Sequence, residues 1–222
     1  MSRQSGAGGR TAANREEAIT GLHARILACR ACHQAGHLPG ELGDATPIRH
    51  VWSPRQRTMI VGQAPGLQTQ LKGFHFAGPG GRLLGAWLAR AGYPAEGWRE
   101  HCYVTSLTRC FPGKAPGGRG DRRPSPAELA LCEPHLAAEL ELVKPAVILP
   151  VGTMAIERFL GRVALGDVVG TVARYTRDGQ ETPVIPLPHP SGVSRWLNDA
   201  ANRARVEEAL THLASLRARH NL

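Results

Sequence analysis

Short apolar runs alternate along the chain with longer stretches in which apolar residues recur every three or four positions. The runs at Thr58–Val61, Cys102–Leu107 and Ala146–Val151 lack polar alternation, as expected of strands covered on both faces. Helical spacing is found over Glu16–Cys29, in "GGRLLGAWLARAGY", from Ser125 to about Val143, over Thr153–Leu160, and from about Asn198 to Arg217. "SPAE", Ser125–Glu128, is a capping box with proline in the first turn. Residues 168–187 read as one or two further strands, and residues 33–56 and 67–78 as loops. Strands alternating with helices predict a three-layer α/β/α sandwich around a central, mostly parallel four-stranded sheet. No internal repeat is visible. A Gly- and Ser-rich flexible tail is expected over residues 1–13, followed by a single domain over 14–222.

Composition narrows the partners. Lys and Arg total 27 against 18 Asp and Glu, a formal charge of +9, in a chain of 222 residues that is 42% hydrophobic. Such a balance points to a polyanion, nucleic acid before acidic lipid. No apolar run approaches the roughly 20 residues of a membrane span, and the N-terminal stretch has no apolar core of an export signal. A cytoplasmic, reducing compartment is therefore expected, where disulfides are disfavoured. The five cysteines then need another explanation.

Cys29 and Cys32 form a C-x2-C pair at the end of the first helix, Cys110 closes the second strand, and Cys132 lies one turn into the capped helix. Four thiolates so placed suit a tetrahedral zinc or an iron–sulfur cluster, and ligand softness does not choose between them. Cys102 lies within a strand and reads as a core residue. "GQAPG", Gly62–Gly66, ends the first strand in a tight corner with little side-chain bulk. Ligands bind at the carboxyl ends of strands in such sheets. "PLPHPSGVSRW" presents His189 between two prolines at the same expected edge.

The blocks "GQAPG", "FHFAGPGGRLL", "YVTSLTRCFPG", "SPAELALCEPHL", "KPAVILPVG" and "HPSGVSR", in this order after a helix and C-x2-C, resemble the iron–sulfur uracil-DNA glycosylases, the fourth family of that superfamily. The likeness spans roughly residues 16–218. It implies a [4Fe–4S] cluster on Cys29, Cys32, Cys110 and Cys132, mainly structural. It implies that Gly62, Gln63, Ala64, Pro65 and Gly66 form the first catalytic motif, whose backbone approaches the base. By the same likeness Phe76 stacks on a flipped uracil, Ser106 takes the place of the residue that reads the base edge, and His189 hydrogen-bonds the base carbonyl. Ser191 and Arg195 belong to the motif beside the DNA. The segment Phe111–Pro124 is longer and basic, so Arg119, Arg122 and Arg123 are expected on phosphates.

Two residues depart from the family pattern. Gln63 stands where a Glu is usual and cannot act as a base. Ser106 stands where an Asn is usual and offers one donor instead of an amide's donor and acceptor. The expectation is a monomeric, monofunctional glycosylase that acts on DNA containing uracil or a related deaminated base, cytoplasmic and nucleoid-associated. The alternative is a weakly active or inactive DNA-binding protein on the same scaffold, and a zinc-stabilised nucleotide-binding protein is a third reading.

Overall fold

The first strand shows why the sheet has two covered faces. In the computed structural model, which describes residues 12–38, 46–118, 120–190 and 195–222, every residue of β1 (Thr58–Gly62) is buried. Ile60 faces Leu84 and Leu88 of α4 (Pro79–Arg90) and Leu210 and Leu213 of α9 (Ala200–His220). Met59 and Val61 face Leu136 and Leu140 of α6 (Pro126–Val143). Each fully buried side chain of this size contributes roughly 1.5–3 kcal/mol. On the α6 side an outer helix, α1 (Ala12–Ala28), adds Ile19, Leu22 and Ile26 against Leu142. Of the expected flexible tail, Ala12 and Ala13 belong to α1, and residues 1–11 lie outside the described residues.

Among the described residues the sheet has five strands, one more than the expected four. Its order is β2-β1-β3-β5-β4, with β2 (Cys102–Ser106), β3 (Val147–Pro150), β4 (Ala173–Arg177) and β5 (Gln180–Val184). β1 pairs in parallel with β2 and β3, and β3 with β5; β4 runs antiparallel at the edge. The extra strand comes from the turn Asp178-Gly179, with φ of 50° and 74°. Two left-handed residues in a two-residue loop match the twist of a hairpin, so the stretch at 168–187 folds back on itself. Shorter helices fill the links: α2 (Ala31–Gln34), α3 (Leu67–Lys72), α5 (Trp98–His101), α7 (Thr153–Leu160) and α8 (Leu165–Val168). No described helix is long and apolar enough to cross a membrane.

The capping box forms as expected: Ser125 Oγ accepts from Glu128 N at 3.2 Å, and Glu128 Oε2 accepts from Ser125 N at 2.7 Å. Beneath β2 the packing departs from an apolar core. Glu139 of α6 is fully buried and accepts from Tyr103 at 3.0 Å, Thr105 at 2.9 Å and Arg109 at 2.5 Å. His23 meets the Tyr103 hydroxyl at 2.9 Å. The His50 ring lies 5.0 Å from His23 and 5.1 Å from His75.

Burial first, and then the Arg109 charge, lowers the pKa of His23 to about 4. Burial, with Arg109 and Arg99, lowers that of His75 to about 3. The unfolded chain takes up these protons near pH 6.5 while the folded chain does not. Stability is therefore full above pH 6.5 and falls as pH drops towards 4, by about 1.4 kcal/mol per pH unit for each such histidine. Urea unfolding at pH 7, 6 and 5 should show this fall. His75→Gln should reduce its steepness by the share of one histidine; an unchanged slope would mean that His75 titrates normally.

Candidate active site

All parallel strands end at one edge of the sheet, and the turns leaving them gather there. Register places Gly62, the last residue of β1, beside Ser106, the last of β2. A β-carbon at Gly62 would lie 3.3 Å from the Phe76 ring. The aromatic ring therefore reaches the strand end because residue 62 has no side chain. Beyond it Gln63 and Ala64 are half-buried and Pro65 is buried. Gly66 is the N-cap of α3, and a β-carbon there would lie 2.9 Å from the Asp121 carboxylate, which accepts from Leu67 N at 3.2 Å and pairs with Lys114 at 2.8 Å.

Two consecutive glycines draw the pocket walls together. A β-carbon at Gly80 would lie 3.0 Å from the Pro190 carbonyl, and one at Gly81 would overlap the Phe76 carbonyl at 1.7 Å. The first turn of α4 is thus wedged between the Phe76 loop and the loop carrying His189. Pairing with the end of β3 fixes that second loop: Leu187 N donates to Pro150 O at 3.0 Å, and Gly152 N to Leu187 O at 2.9 Å. Gly152, at φ 88°, comes within 3.4 Å of the His189 side chain, measured from a built β-carbon. His189 is exposed on its open side, while the protein around its other sides desolvates the ring and lowers its pKa. It is therefore a neutral imidazole near pH 7, able to donate through one ring N–H.

Ser106 is buried and its hydroxyl donates to the Thr108 carbonyl at 2.6 Å. Its single proton is spent within the loop, so towards the pocket it offers only an acceptor.

Behind this edge the four cysteines Cys29, Cys32, Cys110 and Cys132 line one common pocket, together with Arg109. Burial first, then repulsion from Cys132 and the others, pushes the Cys32 thiol to about 11; burial and the same neighbours push Cys110 to about 12. Neighbouring thiols raised in this way ionise together only if a positive centre offsets them. Among the described residues no group of three or more His, Cys, Asp or Glu side chains is arranged as it stands to hold a metal ion. Cys102 is buried in the other core layer and does not line this pocket.

The basic residues divide. Arg122 grips Glu128 through two contacts of 2.7 Å and donates to the His37 carbonyl at 2.9 Å. Burial opposes the ionised Glu128, but Arg122 and Ser125 outweigh it and hold its pKa below the usual carboxylate range. Arg122 therefore clamps the excursion to the capped helix. Arg123 and Arg195 are exposed. Arg119 and Ser191 lie outside the described residues. Sequence reasoning missed Arg99, which donates to the carbonyls of His75 and Phe76.

A mostly parallel sheet that gathers a turn of small residues, an aromatic ring and a loop histidine at its carboxyl edge suits an α/β protein that handles a nucleobase. The chain belongs to the uracil DNA glycosylase superfamily, whose sequence profile matches residues 50–214. It is 29% identical over 186 residues to the Type-4 uracil-DNA glycosylase of Archaeoglobus fulgidus, covering 80% of this chain and 83% of that protein. It is 28% identical over 196 residues to the Type-4 uracil-DNA glycosylase of Thermotoga maritima, covering 87% and 92%. The Type-4 uracil-DNA glycosylase of Pyrobaculum aerophilum is 29% identical over 183 residues, covering 78% and 83%.

Proposed function

We propose that the protein is a monofunctional uracil-DNA glycosylase of base-excision repair, acting as a monomer and a single domain on chromosomal DNA in the cytoplasm. The observation that carries this reading is the Phe76 ring lying on Gly62, opposite Ser106 and at the same sheet edge as His189. A base flipped from the duplex needs a flat aromatic face and a backbone floor. Phe76 offers the face, and the turn from Gly62 to Gly66 the floor. Cleavage breaks the bond between C1′ and N1. The electron pair leaves with the base, a water oxygen takes its place on C1′, and the proton that the water sheds passes through solvent to the departed uracil anion. One ring N–H of His189 donates to the base carbonyl on which negative charge grows. Gln63 orients the water through its amide oxygen and takes no proton. No lysine occupies a motif position to form a Schiff base, so no strand-cleaving step follows.

Cys29, Cys32, Cys110 and Cys132 would hold a [4Fe–4S] cluster, which supplies a rigid cross-link between α1, α2, the end of β2 and α6 rather than chemistry on the base. Arg123 and Arg195 bind phosphates; Arg119 and Ser191, outside the described residues, are given the same role by the family likeness alone. Neutralising one phosphate contributes about 0.9 to the slope of log K against log salt. Arg123→Ala and Arg195→Ala should each flatten the slope by about one unit. Arg122→Ala should instead lower the melting temperature and leave the slope unchanged. A slope unaltered in Arg123→Ala and Arg195→Ala would turn this face away from DNA.

Incubation with an oligonucleotide carrying one uracil tests the reading. Strand breaks should appear only after hot alkali, the mark of an abasic site left intact. One observation favours the second reading, a binder without catalysis: the Ser106 proton is committed to Thr108. That reading requires tight retention of the uracil strand with no alkali-labile product.

A further inference from the structure

Phe76 holds a backbone conformation that its side chain disfavours. Its φ is 55°, in the left-handed region that aromatic residues rarely enter, and something around it must enforce this. Arg99 of α5 reaches across with both arms of its guanidinium. Nε donates to the His75 carbonyl at 2.8 Å and Nη2 to the Phe76 carbonyl at 2.7 Å. The same group lies 4.3 Å from the Trp98 ring and 5.0 Å from the Phe74 ring, so its plane is fixed between aromatic surfaces. Its main chain is fixed as well. The nearly fully buried Gln56 donates from Nε2 to the Arg99 carbonyl at 2.9 Å and accepts from Ser53 N at 2.9 Å. From the opposite side Gly81 leaves room for the Phe76 carbonyl, where any β-carbon would also lie 3.0 Å from Arg99 Nη2.

We propose that Arg99 is a positioning residue for base capture: it clamps two consecutive carbonyls and thereby holds the Phe76 ring against Gly62 before the base arrives. The proposal rests on the reading of Phe76 as the stacking face. The rigid fork is what this placement requires. A lysine ammonium is a point donor on a flexible stem and cannot hold two carbonyls in a fixed relation. Prior placement matters because the base must enter a slot already formed, and a misplacement of about 1 Å costs up to about 100-fold in rate.

Two measurements on the full chain test it. In single-turnover excision, Arg99→Lys should cost about 10- to 100-fold in the wild-type background and less than about twofold in a Phe76→Ala background, because the two residues act as one unit. An equal loss in both backgrounds overturns the proposal and leaves Arg99 a folding residue. The second measurement needs no activity. With 4-fluorophenylalanine at the four phenylalanines, Arg99→Lys should move the 19F resonances of Phe76 and its neighbour Phe74, leaving Phe111 and Phe159 in place. An unmoved Phe76 resonance overturns the proposal. If Phe76→Ala alone keeps wild-type activity, the stacking reading fails by itself, and the 19F result alone decides whether Arg99 places Phe76. Should Arg99→Lys not fold, Arg99→Gln, whose amide reaches only one carbonyl, is read in the same two ways.

Discussion

His189→Ala should lower single-turnover excision of uracil by about 100- to 1000-fold, the loss expected for one oxyanion-type donor and equal to about 2.7–4 kcal/mol. The leaving base gathers negative charge as the bond to C1′ lengthens, and a fixed N–H stabilises that charge without reorganising. The loop is built to fix it. His189 sits between prolines, and its strand-like approach is hydrogen-bonded to β3 through Leu187. Its low pKa keeps the ring neutral, so the surrounding protein does not have to bury a cation beside the DNA. Gln63→Ala should cost clearly less, since an amide only steers water towards an already electrophilic carbon. Rates measured on the same oligonucleotide decide this division. An inactive Gln63→Ala with a nearly normal His189→Ala would reverse it.

Cys110→Ser should bleach the purified protein, lower its iron below the expected four atoms or so per chain, and reduce its solubility. Cys102→Ser should change none of these, because Cys102 belongs to the opposite core layer. The effect should reach the base pocket. The Arg109 main chain bonds the Cys132 sulfur, while its side chain binds the Ser106 carbonyl and Glu139. Loss of the cross-link between Cys110 and Cys132 therefore frees the residue that holds the end of β2. Metal analysis and visible absorption of the native protein check the claim. A colourless protein loaded with zinc would contradict it.

The parts of the chain that are legible in the sequence are those whose physics is local. Unbroken apolar runs locate β1, β2 and β3, and the Ser125–Glu128 box locates the start of α6. α3 escapes detection because "LQTQLK" is short and shows no apolar face. The hairpin of β4 and β5 does carry a local signal, the Asp-Gly turn, which a reading of 168–187 as one or two strands leaves unused. Other features depend on distant partners. Glu139 looks like a solvated residue of an ordinary helix, and only the arrival of Tyr103, Thr105 and Arg109 from β2 and the turn after it makes it a buried acceptor. Arg122 reads as one more cation of a basic loop until Glu128 is seen to have a free face for it. In the pocket, the "GPGG" stretch is legible as a block of motif, but its reason is not. Gly80 and Gly81 are small because two carbonyls from different loops press on them.

The central claim is that this pocket excises uracil although Gln63 and Ser106 replace the acid and the amide. Free uracil released from a single-site oligonucleotide, quantified under single-turnover conditions, tests it most directly. The account predicts one uracil per strand with wild type, at a rate that falls with His189→Ala and Phe76→Ala. Stable binding of the same strand with no free uracil, in wild type and variants alike, would contradict it.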